Sequence, residues 1–243
     1  MPEMRQWLGS IVFTVYLFVS VAIYSIVVIA SAPFPRRVTY RLCVYWVDSA
    51  LFLLRKLCRL EHVVEGLENL PEQNTVVLVK HSSAWEALVQ FKLFPMQTWV
   101  IKRELLFAPL LGWVIMLLRP IAIDRGSGRM AVQKVIDEGQ KRLEEGFWII
   151  IFPEGTRVLP GQSRRYGLSG ALLASAAGRP VVPVAHNAGE FWPRRSWLKR
   201  PGTIQVAVGP AIPTVGREPR EIIAEVRAWI EGRIAEMDAR PAA

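Results

Sequence analysis

A histidine and a carboxylate lie close together in residues 79–86, where Glu86 follows His81 after four intervening residues. A short run rich in β-branched residues, 75–79, precedes them, so the sequence predicts that His81 leaves the end of a buried strand. The acid then comes about one helical turn later. An acid placed there can hold the imidazole in one tautomer and stabilise the imidazolium that forms when the ring takes a proton. The pair is therefore a candidate general base.

A second block, residues 152–157, reads Phe-Pro-Glu-Gly-Thr-Arg and has the composition of a phosphate-binding loop. It follows the apolar run 147–152, which predicts a buried strand, and α/β proteins bind ligands at the carboxyl ends of such strands. Gly155 allows a ligand to approach the backbone closely, and Thr156 offers a hydroxyl. Arg157 can bind two phosphate oxygens at once.

Two further blocks complete a series along the chain. One is Lys102-Arg103-Glu104-Leu105 with Pro109 and Gly112, and the other is Val-Val-Pro-Val-Ala at residues 181–185. In this order the four blocks resemble the four motifs of the glycerolipid acyltransferase family, particularly its bacterial 1-acyl-glycerol-3-phosphate acyltransferases, over roughly residues 60–213. One departure is Glu86, because the usual first motif of the family has aspartate at that position. Glutamate adds one methylene and can still accept the ring N–H bond.

The resemblance implies transfer of a fatty acyl group from a thioester, acyl-CoA or acyl carrier protein, to the sn-2 hydroxyl of lysophosphatidic acid, giving phosphatidic acid. His81 would remove the hydroxyl proton, and Glu86 would orient the ring. A general base contributes about 10²–10⁴-fold to the rate of such a step. No cysteine or serine is placed to form an acyl-enzyme, so direct transfer is expected. No metal and no bound cofactor are expected.

The resemblance also implies the binding residues. Arg157 would bind the phosphate of the acceptor with help from Lys102 or Arg103, and Gly155 and Thr156 would belong to the same loop. Glu154 would anchor that loop or the glycerol backbone of the acceptor. His62 and His186 are assigned to structure.

Two alternatives stay open on the sequence alone. The first is acylation of another lysolipid, such as lyso-ornithine lipid, in which only the headgroup pocket would differ. The second is a membrane-binding module without activity, although such a module has no need of a base. A serine hydrolase and a P-loop nucleotide-binding protein are poorly supported, because residues 167–171 and 126–129 lack the required glycine and lysine spacing.

The composition favours membrane lipids and other anionic partners. The 243 residues carry a net charge of +9, yet the basic residues form short clusters between apolar segments. That arrangement suits the anionic face of a bilayer, and no nucleic-acid-binding signature is present. The two cysteines, Cys43 and Cys58, exclude a disulfide framework and indicate a reducing compartment.

The N-terminal segment predicts a membrane anchor. Residues 7–32 are nearly all apolar and exceed the roughly 20 residues that cross a bilayer. A cleaved signal ending at the Ala-Ser-Ala of residues 30–32 is the rival, but the apolar run is long for one. Arg36, Arg37 and Arg41 place the following chain in the cytoplasm at the inner membrane. Because residues 42–57 form a second apolar stretch, a two-helix hairpin in one leaflet is an alternative to one span.

After residue 60 the pattern indicates a single α/β domain. We therefore predict membrane-anchoring helices in residues 1–60 and, in residues 61–243, an acyltransferase domain with a mixed sheet flanked by helices. The apolar segment 105–118 is either a buried helix or a surface that touches membrane or acyl chain. Strands are predicted at 75–79, 98–101, 121–123, 147–152, 181–185 and 204–208, and helices at 130–144, 167–177 and 219–237.

Overall fold

A computed structural model of the protein describes residues 2–239. Its helices are α1 (Pro2–Ala30), α2 (Arg36–Cys58), α3 (Glu86–Leu93), α4 (Leu111–Leu117), α5 (Arg129–Glu144), α6 (Ser169–Ala176), α7 (Ala188–Phe191) and α8 (Pro219–Asp238). Its strands are β1 (Leu60–Glu65), β2 (Val76–Val79), β3 (Gln97–Lys102), β4 (Ile121–Ile123), β5 (Trp148–Ile151), β6 (Val181–His186) and β7 (Gly202–Val208). Residues 240–243, the end of the second predicted domain, lie outside the described residues.

The strands form one seven-stranded mixed sheet, in the order β1-β7-β6-β2-β5-β3-β4. All neighbours are parallel except β6 and β7, which are antiparallel. The central strands β2 and β5 are buried along their whole length, as their continuous apolar sequences require when both faces of a parallel sheet are covered. The predicted fold class, a mixed sheet flanked by helices, is confirmed.

Side chains that alternate along β2 enter two cores on opposite faces of the sheet. Val77 and Val79 pack with α2 and α3, whereas Val76 and Leu78 pack with α5, α6 and α8. The sequence analysis did not predict β1, because this edge strand fully buries only Leu60 and carries glutamate at two positions. It also missed the short helices α3 and α7.

The apolar segment 105–118 is not one buried helix. A 3₁₀ helix (Arg103–Phe107) gives way at Pro109 to α4, and Gly112 lies so close to Leu106 that an added Cβ would come within 2.2 Å of its carbonyl oxygen. Phe107 is 74% exposed and Trp113 is 54% exposed. This exposure favours the second predicted role, a surface that touches membrane or acyl chain.

The N-terminal helix α1 lies along the rest of the protein. At its start, Gln6 donates to the Cys58 carbonyl (2.9 Å) and Ser10 Oγ accepts the Lys199 N–H (3.0 Å). At its end, Val28 packs against Val114 of α4 in a buried cluster. Among the described residues, α1 is the one helix long and apolar enough to cross a membrane. Both of its ends nevertheless contact the remainder of the chain.

Candidate active site

The sheet brings the ends of three parallel strands together. β2 lies between β5 and β6, and Val79 of β2 pairs with Val184 of β6. His81 lies two residues after Val79, and His186 lies two residues after Val184. Both histidines therefore reach the same edge of the sheet. The loop after β5 reaches this edge from the other side of β2. The site forms at the carboxyl ends of the strands, where α/β proteins bind ligands.

His81 is fixed by contacts of its Nδ1, its ring face and its backbone. Its Nδ1 forms a short hydrogen bond with Glu86 Oε1, and its ring stacks on Phe152 with centroids 4.1 Å apart. Its backbone N–H donates to Glu154 Oε2 (2.8 Å), and its carbonyl accepts the N–H of Val158 (2.8 Å). No residue in the described part of the chain binds His81 Nε2. That nitrogen is available to take a proton from a substrate.

Glu86, the first residue of α3, is fully buried. Its Oε2 accepts the backbone N–H of Ser83 (2.8 Å) and lies 3.1 Å from His186 Nε2. Burial raises the pKa of Glu86, but the hydrogen bonds from His186 and His81 outweigh burial and lower it to about 2. The carboxylate is therefore ionised at neutral pH and can stabilise a protonated His81.

The loop after β5 places Arg157 beside this pair. Gly155 has φ of +70°, a left-handed conformation that glycine adopts without strain, and the loop turns there. Arg157 Nε donates to the Ser83 carbonyl (2.9 Å) and lies 4.0 Å from Glu86 Oε1. Its side chain is 37% exposed, and its two terminal nitrogens have no partner within residues 2–239. They can bind an anion next to His81, and the half-buried Thr156 lies in the same loop.

Glu154 is buried beneath this loop. Besides the His81 N–H, it contacts Lys80, whose Nζ lies 2.9 Å from Glu154 Oε1 and 2.9 Å from Glu231 Oε1 on α8. Burial raises the pKa of Glu154, although the Lys80 ammonium opposes that effect. This placement suits the first of its two predicted roles, an anchor of the loop, because its oxygens already face partners inside the protein.

Lys102 and Arg103 lie at the same edge of the sheet, at the end of β3, two strands away from β2. Both are exposed, and Lys102 forms an ion pair with Glu104 (3.0 Å). Within the described residues neither side chain contacts His81 or Arg157. The structure therefore brings His81, Glu86, Glu154 and the Arg157 loop together but leaves these two cations apart.

Several residues of the site were missed by the sequence reasoning. The buried Lys80 pairs with the half-buried Glu231, and a lysine that follows an apolar strand was the available signal. Arg125, after β4, donates to the Gly155 carbonyl. His186 was assigned to structure, yet it approaches the candidate acid.

A cavity of about 540 Å³ opens beside Arg157. Its lining comes from α1, from the segment 192–199, and from Ala84 and Leu88, which lie two residues before and after Glu86 in the chain. The cations at this cavity are Arg157, Arg194, Arg195 and Lys199. An apolar wall with cations at its side suits an amphiphile that has an anionic headgroup.

Comparison with known proteins is consistent with this chemistry. Residues 61–187 match the model of the Acyltransferase family. A 1-acyl-sn-glycerol-3-phosphate acyltransferase of Pseudomonas aeruginosa is 40% identical over 237 residues, 96% of this chain and 92% of that protein. The 1-acyl-sn-glycerol-3-phosphate acyltransferase alpha of Bos taurus is 31% identical over 154 residues, which are 63% of this chain and 54% of that protein.

The crystal structure of the 1-acyl-sn-glycerophosphate (LPA) acyltransferase PlsC from Thermotoga maritima superposes with a TM-score of 0.83 at 22% identity, and the match covers all of both chains. At this identity the likeness concerns the fold.

Proposed function

The chain belongs to the Acyltransferase family, and we propose that it transfers a fatty acyl group to the sn-2 hydroxyl of 1-acyl-sn-glycerol-3-phosphate, giving phosphatidic acid. The acyl donor is a thioester, acyl-CoA or acyl carrier protein. The observation that carries the proposal is the His81–Glu86 pair with Arg157 directly beside it. The named relative from Pseudomonas aeruginosa supports the same acceptor.

His81 acts as the general base in direct transfer. Its Nε2 takes the proton of the acceptor hydroxyl while the hydroxyl oxygen bonds to the thioester carbonyl carbon. The tetrahedral intermediate then collapses, the C–S bond breaks, and the thiolate leaves with the proton that His81 returns. Glu86 accepts the Nδ1–H bond throughout and offsets the charge of the imidazolium. No metal or bound cofactor takes part in these steps.

Arg157 binds the phosphate of the acceptor through its two terminal nitrogens, while its Nε donates to the Ser83 carbonyl. The acyl chain of the acceptor lies in the cavity of about 540 Å³ against α1, with Arg194 and Arg195 close to its headgroup. Lys102 and Arg103 approach the donor or acceptor only if the 3₁₀ segment after β3 moves on binding.

The protein attaches to the membrane through α1, α2 and the exposed side chains near α4. Because α1 contacts the domain at both ends, we place it along one leaflet in a two-helix hairpin, with the exposed Phe107 and Trp113 immersed beside its C-terminal end. The catalytic domain then faces the cytoplasm at the inner membrane, where both thioester donors are made.

The decisive experiment measures transfer of labelled acyl groups to lysophosphatidic acid by the purified protein in detergent or lipid. Wild type and His81→Ala are compared, with each thioester donor in turn. Phosphatidic acid formed by wild type and lost in the variant supports both the reaction and the base. Product that survives in His81→Ala would mean that another group is the base. Activity only with lyso-ornithine lipid would replace the acceptor and keep the mechanism.

A further inference from the structure

Glu86 is shared between two imidazoles, one on each carboxylate oxygen. Oε1 meets His81 Nδ1, and Oε2 lies 3.1 Å from His186 Nε2. The proposed function uses only the first of these contacts. The second joins the acid to a histidine on a neighbouring strand.

The hydrogen bonds of His186 fix its tautomer. The Ala188 N–H donates to His186 Nδ1 (3.2 Å), so Nδ1 is the acceptor and the ring proton is on Nε2. Nε2 lies 2.9 Å from the Lys80 carbonyl oxygen and 3.1 Å from Glu86 Oε2. The proton is therefore shared between these two acceptors, in a three-centre arrangement.

The surroundings of His186 exclude direct contact with substrate. Its side chain is 1% exposed and packs against the Trp85 indole with ring centroids 5.9 Å apart, and it lines a separate cavity of about 180 Å³, not the cavity of about 540 Å³. Strand pairing between β2 and β6 sets its position opposite His81. Any effect of His186 on the reaction must pass through Glu86 or through the backbone at Lys80.

The length of the acid explains why a second imidazole is useful. Glutamate at position 86 has one methylene more than the aspartate of the usual family motif, and it has one more torsion to restrain. Its Oε2 accepts backbone N–H groups at Ser83 (2.8 Å) and Ser82 (3.3 Å). His186 adds a side-chain donor that holds the carboxylate plane while Oε1 faces His81.

We propose that His186 is a positioning residue that holds Glu86 in the orientation required by His81, an inference that rests on the proposed function. Without the Nε2–H of His186, the Glu86 carboxylate can rotate so that its Oε1 no longer contacts His81 Nδ1. His81 then loses the partner that fixes the orientation of its ring. Because His186 does not touch the cavity, the effect falls on kcat and leaves the KM for acceptor nearly unchanged.

The test compares His186→Gln with His186→Leu. Both variants remove the imidazole Nδ1 that accepts the Ala188 N–H. The Gln amide carries two N–H donors near the place of Nε2, whereas Leu carries none. We expect kcat to fall about 10–100-fold in His186→Leu and to stay within about 3-fold of wild type in His186→Gln, since misplacement by about 1 Å costs on the order of 10²-fold.

His62→Leu is the matched control, because His62 packs on the same Trp85 indole as His186 (ring centroids 5.3 Å apart) but forms no hydrogen bond with Glu86 within residues 2–239, so it should leave kcat near wild type. The assay uses whichever lysolipid wild type acylates, so failure of the proposed acceptor does not decide this test. Equal loss of kcat in the Gln and Leu variants, or no loss in either, would overturn the proposal.

A second readout does not depend on activity. The chain has three histidines, so ¹⁵N-histidine labelling gives a small set of imidazole signals. We expect the Nε2–H tautomer at His186 and the Nδ1–H tautomer at His81, and loss of tautomer preference at His81 in His186→Leu. A His81 signal unchanged in a folded His186→Leu protein would contradict the proposal.

A double-mutant cycle that combines Glu86→Asp with His186→Leu measures the coupling between these two residues. The shorter side chain withdraws the carboxylate by roughly 1.5 Å, one C–C bond, so it cannot meet both rings. Glu86→Asp and His186→Leu should then each reduce kcat, and the double variant should lose little more than the stronger single variant. Full additivity of the two losses would mean that the residues act separately.

Discussion

Lys80 Nζ lies 2.9 Å from Glu231 Oε1, so the residue before the candidate base is joined to the C-terminal helix. Lys80 is buried, and Glu154 is its second carboxylate partner. The position of the strand end that carries His81 therefore depends on α8.

Glu231→Gln should lower the free energy of unfolding by about 1–2 kcal/mol, because it leaves a buried ammonium with one carboxylate instead of two. Glu225→Gln on the same helix is the control, since its ion pair with Arg217 is exposed and should contribute less than about 1 kcal/mol. Denaturant unfolding in detergent measures both. Equal losses in the two variants would show that Lys80 does not depend on Glu231.

Glu86 should make the protein less stable in acid. Its pKa of about 2 in the fold lies below the ordinary value of 4.5, so the unfolded chain binds more protons between these values. The carboxylate therefore contributes stability above about pH 4.5, and this contribution is lost as the pH falls towards about 2.

The corresponding measurement is the difference in unfolding free energy between wild type and Glu86→Gln over a pH series. The difference should be largest near neutral pH and should shrink through the window from about 4.5 to about 2. A difference that is constant over this window would mean that the charge of Glu86 does not stabilise the fold.

Arg157→Ala should weaken binding of the acceptor, seen as a higher KM, more than it lowers kcat. Loss of charge-assisted bonds to phosphate costs about 1.5–3 kcal/mol, which corresponds to a roughly 10–150-fold rise in KM for lysophosphatidic acid. Arg157→Lys should recover part of that loss, because it keeps the charge but not the two-pronged geometry.

Steady-state kinetics with lysophosphatidic acid and with monoacylglycerol separate the headgroup from the rest of the acceptor. A KM for lysophosphatidic acid that Arg157→Ala leaves unchanged would make this lysolipid the wrong acceptor. Equal effects on both acceptors would assign Arg157 to the Ser83 contact instead.

Phe107 should lie within the bilayer. A nitroxide attached to Phe107→Cys should be accessible to oxygen and protected from a polar relaxation agent in vesicles, as apolar depth requires. The native thiols Cys43 and Cys58 are buried and should not compete for the label. Lys134→Cys on α5, across the sheet from α1, is the control and should show the opposite accessibility. Equal accessibility at the two sites would contradict immersion.

The sequence predicted the parts of the site that are local in the chain. His81 with Glu86 is such a pair, since a strand end and one helical turn bring the two side chains together. The approach of Arg157 to this pair could be expected, because the Arg157 loop follows β5, the strand next to β2. His186 was not recognised, because its approach to Glu86 depends on the register between β2 and β6, which no local pattern encodes. The same holds for Glu231, which is 151 residues from Lys80.

The fold was predicted well in its centre and less well at its margins. Continuous apolar runs revealed β2 and β5, whereas β1 alternates along an edge and was missed. The helix is interrupted within residues 105–118 by Pro109 and by the close approach of the Gly112 and Leu106 backbones. A hydropathy pattern predicts neither of these features. Exposure of Phe107 was likewise set by tertiary packing.

The first helix forms one wall of the cavity beside Arg157, and this has a practical consequence for anyone preparing the enzyme. Deleting α1 to obtain a water-soluble protein would remove Leu17 and Phe18 from that wall and would uncover the aromatic and cationic side chains that face Thr14. In the truncated protein, the cavity of about 540 Å³ would lack the wall formed by α1 and would be open to solvent on that side. The proposed anchor and the proposed substrate cavity therefore share the residues of α1.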